Sequence, residues 1–134
     1  MAHTITPDGL YHADLGLPWP LVAGIQAAQP LEYGPHARQA AITDRFATLT
    51  QAPLTRAFNA TEVFEVEVEQ GEVVKIAVRI SSGFTANSYS GKPVDLVLVL
   101  TPSRRTRGWF VKTLWFNHRE DRHYTLDRSK YQTL

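Results

Sequence analysis

From Phe64 to Ile80 the chain alternates apolar and polar residues with a period of two, and no other feature limits its folding as strongly. Phe64, Val66 and Val68 alternate with Glu65, Glu67 and Glu69; beyond Gln70-Gly71, Val74, Ile76, Val78 and Ile80 alternate with Lys75, Ala77 and Arg79. Successive side chains of a strand point to opposite faces, so the pattern predicts an antiparallel hairpin with one apolar and one charged face. A three-residue loop Glu69-Gln70-Gly71, with the glycine left-handed, keeps the apolar rows together and sets Glu65 opposite Lys75. The three glutamates then read as a solvated row paired with Lys75 and Arg79 rather than as general acids.

Two more strands follow in sequence. Ser81 to Pro93 is polar and glycine-containing, a loop long enough to be functional or mobile. Val94 to Leu100 is nearly all apolar, as in a central strand covered on both faces. After the basic turn Arg104, Arg105, Arg107, the run Trp109 to Asn117 reads as an aromatic-rich strand, with Trp109, Val111, Thr113, Trp115 and Asn117 on one face and Phe110, Lys112, Leu114 and Phe116 on the other. The tail from His118 is a charged turn followed by a short extended or helical segment.

Upstream, five of the eight prolines fall within residues 1–35. Each fixes its own φ and moves the preceding residue out of the α region, so residues 1–34 are expected to form a proline-rich N-terminal arm with at most one helical turn near Leu21 to Ala28. Leu15, Leu17 and Trp19 give that arm apolar residues with which to pack. From Pro35 to about Leu49 the spacing predicts a helix, with proline at its first position and Ile42, Phe46 and Leu49 forming one stripe. The expected fold is α+β: an N-terminal helix packed on one face of a roughly four-stranded antiparallel meander sheet, with residues 35–134 as a single catalytic-type domain.

Charge and composition narrow the function. The chain of 134 residues has no cysteine, which removes disulfides, Cys-ligated zinc and thiol nucleophiles. No apolar run approaches the ~20 residues of a membrane-spanning helix and no signal-peptide pattern is seen, so a soluble cytoplasmic protein without membrane contact is expected. The net charge of +1 conceals an asymmetry: residues 1–70 hold three basic and eight acidic side chains, residues 71–134 eleven and five, so the halves carry −5 and +6. An anionic partner for the basic half is one reading; internal pairing of the halves is the other. Arg104, Arg105, Arg107, Arg119, Arg122, Arg128 and Lys130 have no partner legible in the sequence, and a phosphate backbone is expected to meet that cluster.

No P-loop, GxGxxG or GxSxG motif is present. His118 and His123, with Glu120 and Asp121 between them, are too few ligands for a metal site, and no metal or cofactor is expected. What remains suits one reaction type. Metal-independent RNA cleavage needs a base for the 2′-OH, an acid for the leaving oxygen and cations for the phosphorane. His36 at the helix start, Lys75 and Arg79 on one strand face, Lys112 or Thr113 on the last strand and His123 after it supply those types. Tyr89, Trp109 and Trp115 alternate with basic residues as stacking platforms would, although at least one tryptophan is expected in the core.

A helix opening His36-Ala37-Arg38, followed by a meander whose last strand reads Lys112-Thr113-Leu114-Trp115-Phe116-Asn117, resembles the barnase/EndoU/colicin/RelE-like ribonuclease superfamily, in its phage-associated or polymorphic-toxin branch. The resemblance covers residues 33–131. It implies a metal-independent endoribonuclease of toxin type that cleaves RNA by 2′-OH transesterification and is neutralised by an antitoxin or immunity protein. It also implies His36 as the acid-base group, Lys75 or Arg79 as the phosphate-stabilising cation and Lys112 with Thr113 as the strand pair. Regular alternation separates those last two, which places Thr113 in the site and Lys112 at its edge unless a bulge intervenes. Trp115, Asn117, Arg105, Arg107 and His123 complete the expected RNA contacts. Two other readings stay open: a non-catalytic protein- or nucleic-acid-binding accessory module, favoured if these side chains fail to converge, and a small-ligand pocket between helix and sheet.

Overall fold

The computed structural model of the chain describes residues 6–25, 31–43, 58–85, 93–105, 108–121 and 124–133. Their strands are β1 (Gly9–His12), β2 (Leu31–Tyr33), β3 (Val63–Glu69), β4 (Glu72–Thr85), β5 (Pro93–Pro102) and β6 (Trp109–His118), and the helices are α1 (Trp19–Ala23) and α2 (Pro35–Thr43). All six strands join one sheet in the order β1-β3-β4-β5-β6-β2. The four central strands run antiparallel, β1 adds antiparallel to β3, and β2 adds parallel to β6.

This corrects the expected architecture. The molecule is mostly β, a six-stranded mixed sheet with two short helices, rather than one N-terminal helix on a four-stranded meander. The added strands come from the proline-rich segment and have four and three residues, too short to show alternation. Their pairing energy comes from the sheet edges they cover, which sequence periodicity does not register. Strand β4 also runs on to Thr85, so Ser81 to Thr85, read as the start of a loop, are strand residues.

The hairpin register differs from the expected one as well. Gln70 (φ 52°) and Gly71 (φ 76°) form a two-residue turn with both residues left-handed, Glu69 faces Glu72, and a bulge at Val74 then sets Glu67 opposite Lys75 and Glu65 opposite Ala77. Such a turn matches the right-handed strand twist, and the bulge restores the apolar phase that an even loop would have inverted. Lys75 therefore pairs with Glu67 at 3.3 Å. A second irregularity falls at Lys112 in β6, between the pairs Val99–Thr113 and Leu100–Val111. It moves Trp109 and Val111 to the face of Leu114 and Phe116 and leaves Lys112 exposed, so the predicted grouping of Trp109 and Val111 with Thr113 does not occur.

One sheet face is the core. Val66, Ile76, Val78, Ile80, Leu96, Leu98, Leu100, Leu114 and Phe116 pack there with Tyr11, with Val22 of α1 and with Ala37 of α2. Leu17 packs against this cluster, Leu15 is half-buried and Trp19 stays 52% exposed. The residues Ile42, Phe46 and Leu49 of the predicted helical stripe lie outside the described side chains. No helix among the described residues is long and apolar enough to cross a membrane.

Candidate functional site

The opposite face of the sheet carries the polar residues. Cross-strand pairing sets Arg79, Val97 and Trp115 in one row and Ser81, Asp95 and Asn117 in the next. Val97 and Val99 are buried on this side too, so β5 is covered on both faces. Asp95 is 5% exposed and sits between two guanidinium groups: Arg79 Nη1 lies 3.6 Å from one carboxylate oxygen, and Arg119 Nε donates to the other at 3.1 Å. A buried carboxylate needs such partners because desolvation without them costs several kcal/mol, ~3–5 if one partner is removed. Arg79 Nη1 also lies 3.4 Å from the carbonyl oxygens of His118 and Arg119, while its buried Nη2 has no hydrogen-bond acceptor among the described residues.

In front of these arginines is a cleft of about 200 Å³ lined by His12, Ala13, Asp14, Phe64, Arg79, Arg119 and Asp121. Its wall is local in origin. β1 ends at His12 in a tight turn, with Leu15 N–H donating to the His12 carbonyl at 2.9 Å and Gly16 at φ 101° carrying the chain away. Phe64 is the unpaired residue at the irregularity between Val63 and Glu65, and its ring lies under the Arg79 guanidinium, 5.7 Å from ring centroid to Cζ.

His12 is 3% exposed and enclosed by aromatic rings: stacked on Tyr124 with centroids 3.7 Å apart, and edge-on to Phe64 and Tyr131. Its Nδ1 accepts the Asp14 backbone N–H at 3.0 Å, which places the proton of the neutral ring on Nε2, 3.9 Å from Glu65 Oε1. Glu65, equally buried, accepts the backbone N–H of Thr125 at 2.7 Å and also the Thr125 hydroxyl. The C-terminal segment is thus tied to the polar face. Its further ties are the Tyr124 hydroxyl donating to Asp14 Oδ2 and a parallel bridge from Tyr131 to Leu10. Burial, its largest cause, raises the Tyr131 phenol above its ordinary pKa.

The residues singled out in the sequence are only partly brought together. Arg79, Trp115 and Asn117 occupy adjacent rows of the polar face, with Thr113 half-exposed one row further, opposite Val99. Lys75 lies four residues along β4 from Arg79, about 13 Å away, and is taken by Glu67. His36 is exposed on α2, a helix whose Ala37 belongs to the core cluster on the other side of the sheet. It therefore does not converge with Arg79, Lys75 and Thr113. Lys112 is the exposed bulge residue, and Arg105, at the far end of β5, pairs with Glu32 at 3.6 Å. Arg107, His123, Tyr89 and Arg122 lie outside the described residues. Of the basic cluster expected to lack partners, Arg105 and Arg119 have carboxylates, and Arg128 lies over the Tyr124 ring at 5.2 Å.

His12, Asp14, Phe64 and Asp95 were not candidates in the sequence. His12 and Asp14 lie in a stretch with no periodicity, and Asp95 interrupts an apolar run in a way that does not reveal its two cations. Among the described residues, no group of three or more His, Asp or Glu side chains is arranged to hold a metal ion. No protein-family model matches the chain, and no curated protein or solved structure shows significant similarity to it, so the fold and the cleft stand on their own geometry.

Proposed function

We propose that the protein binds the phosphate backbone of RNA at the Arg79–Arg119 cleft and, as the ribonuclease resemblance implies, cleaves it by metal-independent transesterification. One observation carries this reading. Two guanidinium groups flank the buried carboxylate of Asp95, and Arg79 retains a buried donor with no acceptor among the described residues. A phosphate oxygen is the ligand such donors suit, because charge-assisted hydrogen bonds to guanidinium groups are the strong ones. Phe64 offers a ring for a neighbouring base, and His12 is the imidazole in the cleft wall. His36, on the other side of the sheet, has no part in this site.

The test is cleavage of a generic RNA in the presence of EDTA. Arg79→Ala and Arg119→Ala are each expected to lower the rate tenfold or more, on the order of the ~1.5–3 kcal/mol of a hydrogen bond to a charged group. His36→Ala is expected to leave the rate unchanged. Full activity in both arginine variants, with folds verified by circular dichroism, would sink the site. A toxin-type role, with its neutralising antitoxin or immunity protein, predicts that expressing the wild type slows growth while the Arg79 variant does not.

A second reading, a non-catalytic RNA-binding accessory module, is favoured by the state of His12. Its Nδ1 accepts the Asp14 N–H and its buried ring is stacked on Tyr124, so the ring as placed holds the turn rather than moves a proton. That reading predicts salt-dependent RNA binding weakened by Arg79→Ala, with no cleavage by the wild type.

A further inference from the structure

Residues 124–133 cross the polar face where His12 and Glu65 are buried, and they hold it at two anchors. At the first, Tyr124 covers one face of the His12 ring, with centroids 3.7 Å apart and 12° between the planes, and its hydroxyl donates to Asp14 Oδ2 at 3.1 Å. Thr125 beside it donates both its N–H and its hydroxyl to Glu65. At the second, Tyr131 meets the His12 ring edge-on with centroids 5.8 Å apart, and the Gln132 N–H donates to the Leu10 carbonyl at 2.6 Å. Between the anchors, residues 126–130 are exposed around a short helical turn, Arg128–Lys130, whose Ser129 N–H and hydroxyl are taken by Asp127 of the same segment. None of residues 124–133 belongs to the core cluster of the sheet.

A segment that packs outside the core can leave without exposing the apolar surface that holds the sheet together, so it opens at a lower free energy than the whole fold. Both anchors bear on the same imidazole, so they are made and lost together. His12 lines the cleft with Arg79 and Arg119, yet it is 3% exposed, with Tyr124 on its face and Tyr131 at its edge. An imidazole enclosed in this way does not reach a phosphate held by those arginines. Freed of the two tyrosines, the ring is able to leave the Asp14 N–H and turn a nitrogen into the cleft. We propose that residues 124–133 form an autoinhibitory strap, which when closed withholds His12 from a ligand in the Arg79–Arg119 cleft and which opens as a unit without unfolding the sheet. This rests on the reading of that cleft as an RNA site. Activity then scales with the fraction of molecules in which the strap is open.

Hydrogen exchange of the full wild-type chain tests the opening. The Thr125 and Gln132 amides are expected to be protected at least about a hundredfold less than the amides of β5, because they open without the sheet. Equal protection of the two sets overturns the strap. Hydroxyl-radical footprinting read by mass spectrometry reports access to the His12 ring, with the exposed His36 as internal standard. Tyr124→Ala, which removes the stacked ring and the hydrogen bond to Asp14, is expected to raise His12 oxidation about tenfold and EDTA-resistant RNA cleavage by a similar factor. Unchanged His12 oxidation in the variant overturns the strap. An unfolded Tyr124→Ala protein does so too, because a strap outside the core is separable from the sheet. Greater His12 oxidation with RNA cleavage unchanged or lowered overturns the autoinhibition. If neither protein cleaves RNA while exchange and footprinting come out as expected, the ribonuclease reading falls and the strap over His12 stands.

Discussion

Glu65 lies in a setting that few carboxylates tolerate, buried on the polar face with its oxygens taken by Thr125 and by the neighbourhood of His12. Thr125→Val removes the hydroxyl donor and keeps the shape. It is expected to lower stability by ~1–3 kcal/mol in urea unfolding, with Thr125→Ser restoring most of it. The alternation of β3 places Glu65 on the charged face, but its burial depends on a residue sixty positions away and was invisible in the sequence. Tyr33 is a second such residue. Burial pushes its phenol up to about 12, against the opposing pull of Arg38, and its hydroxyl has no hydrogen-bond partner among the described residues. The unfolded chain releases this proton near its ordinary value of 10.0, whereas the folded chain holds it to about 12. The stability it contributes is therefore fully present below pH 10 and lost as the pH rises toward 12. Tyr33→Phe is expected to be at least as stable as the wild type at pH 8 and to lose less stability across that alkaline window, measured by urea midpoints at each pH.

Among the elements, the bulges at Phe64, Val74 and Lys112 determine which residues face which side. Without the irregularity at Lys112, β6 would place Leu114 and Lys112 on one face and Trp109 with Thr113 on the other; with it, Trp109, Val111, Leu114 and Phe116 all reach the core. Leu114→Ala is thus expected to cost ~2–5 kcal/mol through lost burial and a residual cavity. Lys112→Ala, at an exposed bulge, is expected to stay within ~0.5 kcal/mol of the wild type. Comparable losses in thermal or urea unfolding would contradict the shifted phase. The sequence contained the strands β3 to β6 as period-two or apolar runs. It did not contain the bulges, because a bulge adds a residue without changing composition, and its position is chosen by how the paired strand and the core fill.

For the whole molecule, the segment read as an arm closes both edges of the sheet. β1 covers β3 and β2 covers β6, and Leu17, Leu21, Ile25, Leu31 and Tyr33 pack on the core between them. A chain of residues 35–134 alone would expose unpaired backbone along both edges together with the apolar surface beneath α1. It is expected to aggregate or to lose cooperative melting, seen by size-exclusion chromatography and near-ultraviolet circular dichroism. A soluble, cooperatively folding fragment would show that the arm is dispensable. The same arm brings His12 to the polar face, and the acidic and basic halves are joined in part through Glu67–Lys75 and Glu32–Arg105. By itself the sequence determined the central hairpin, the twice-buried strand β5 and the aromatic strand after it, because local alternation and run length decide whether a segment can bury one face or two. Only the tertiary structure decided the edge strands, the hairpin register, the faces of β6 and the union of Arg79, Asp95, Arg119 and His12. Each of those depends on a partner distant in the chain, and no local pattern encodes the energy of such a pairing.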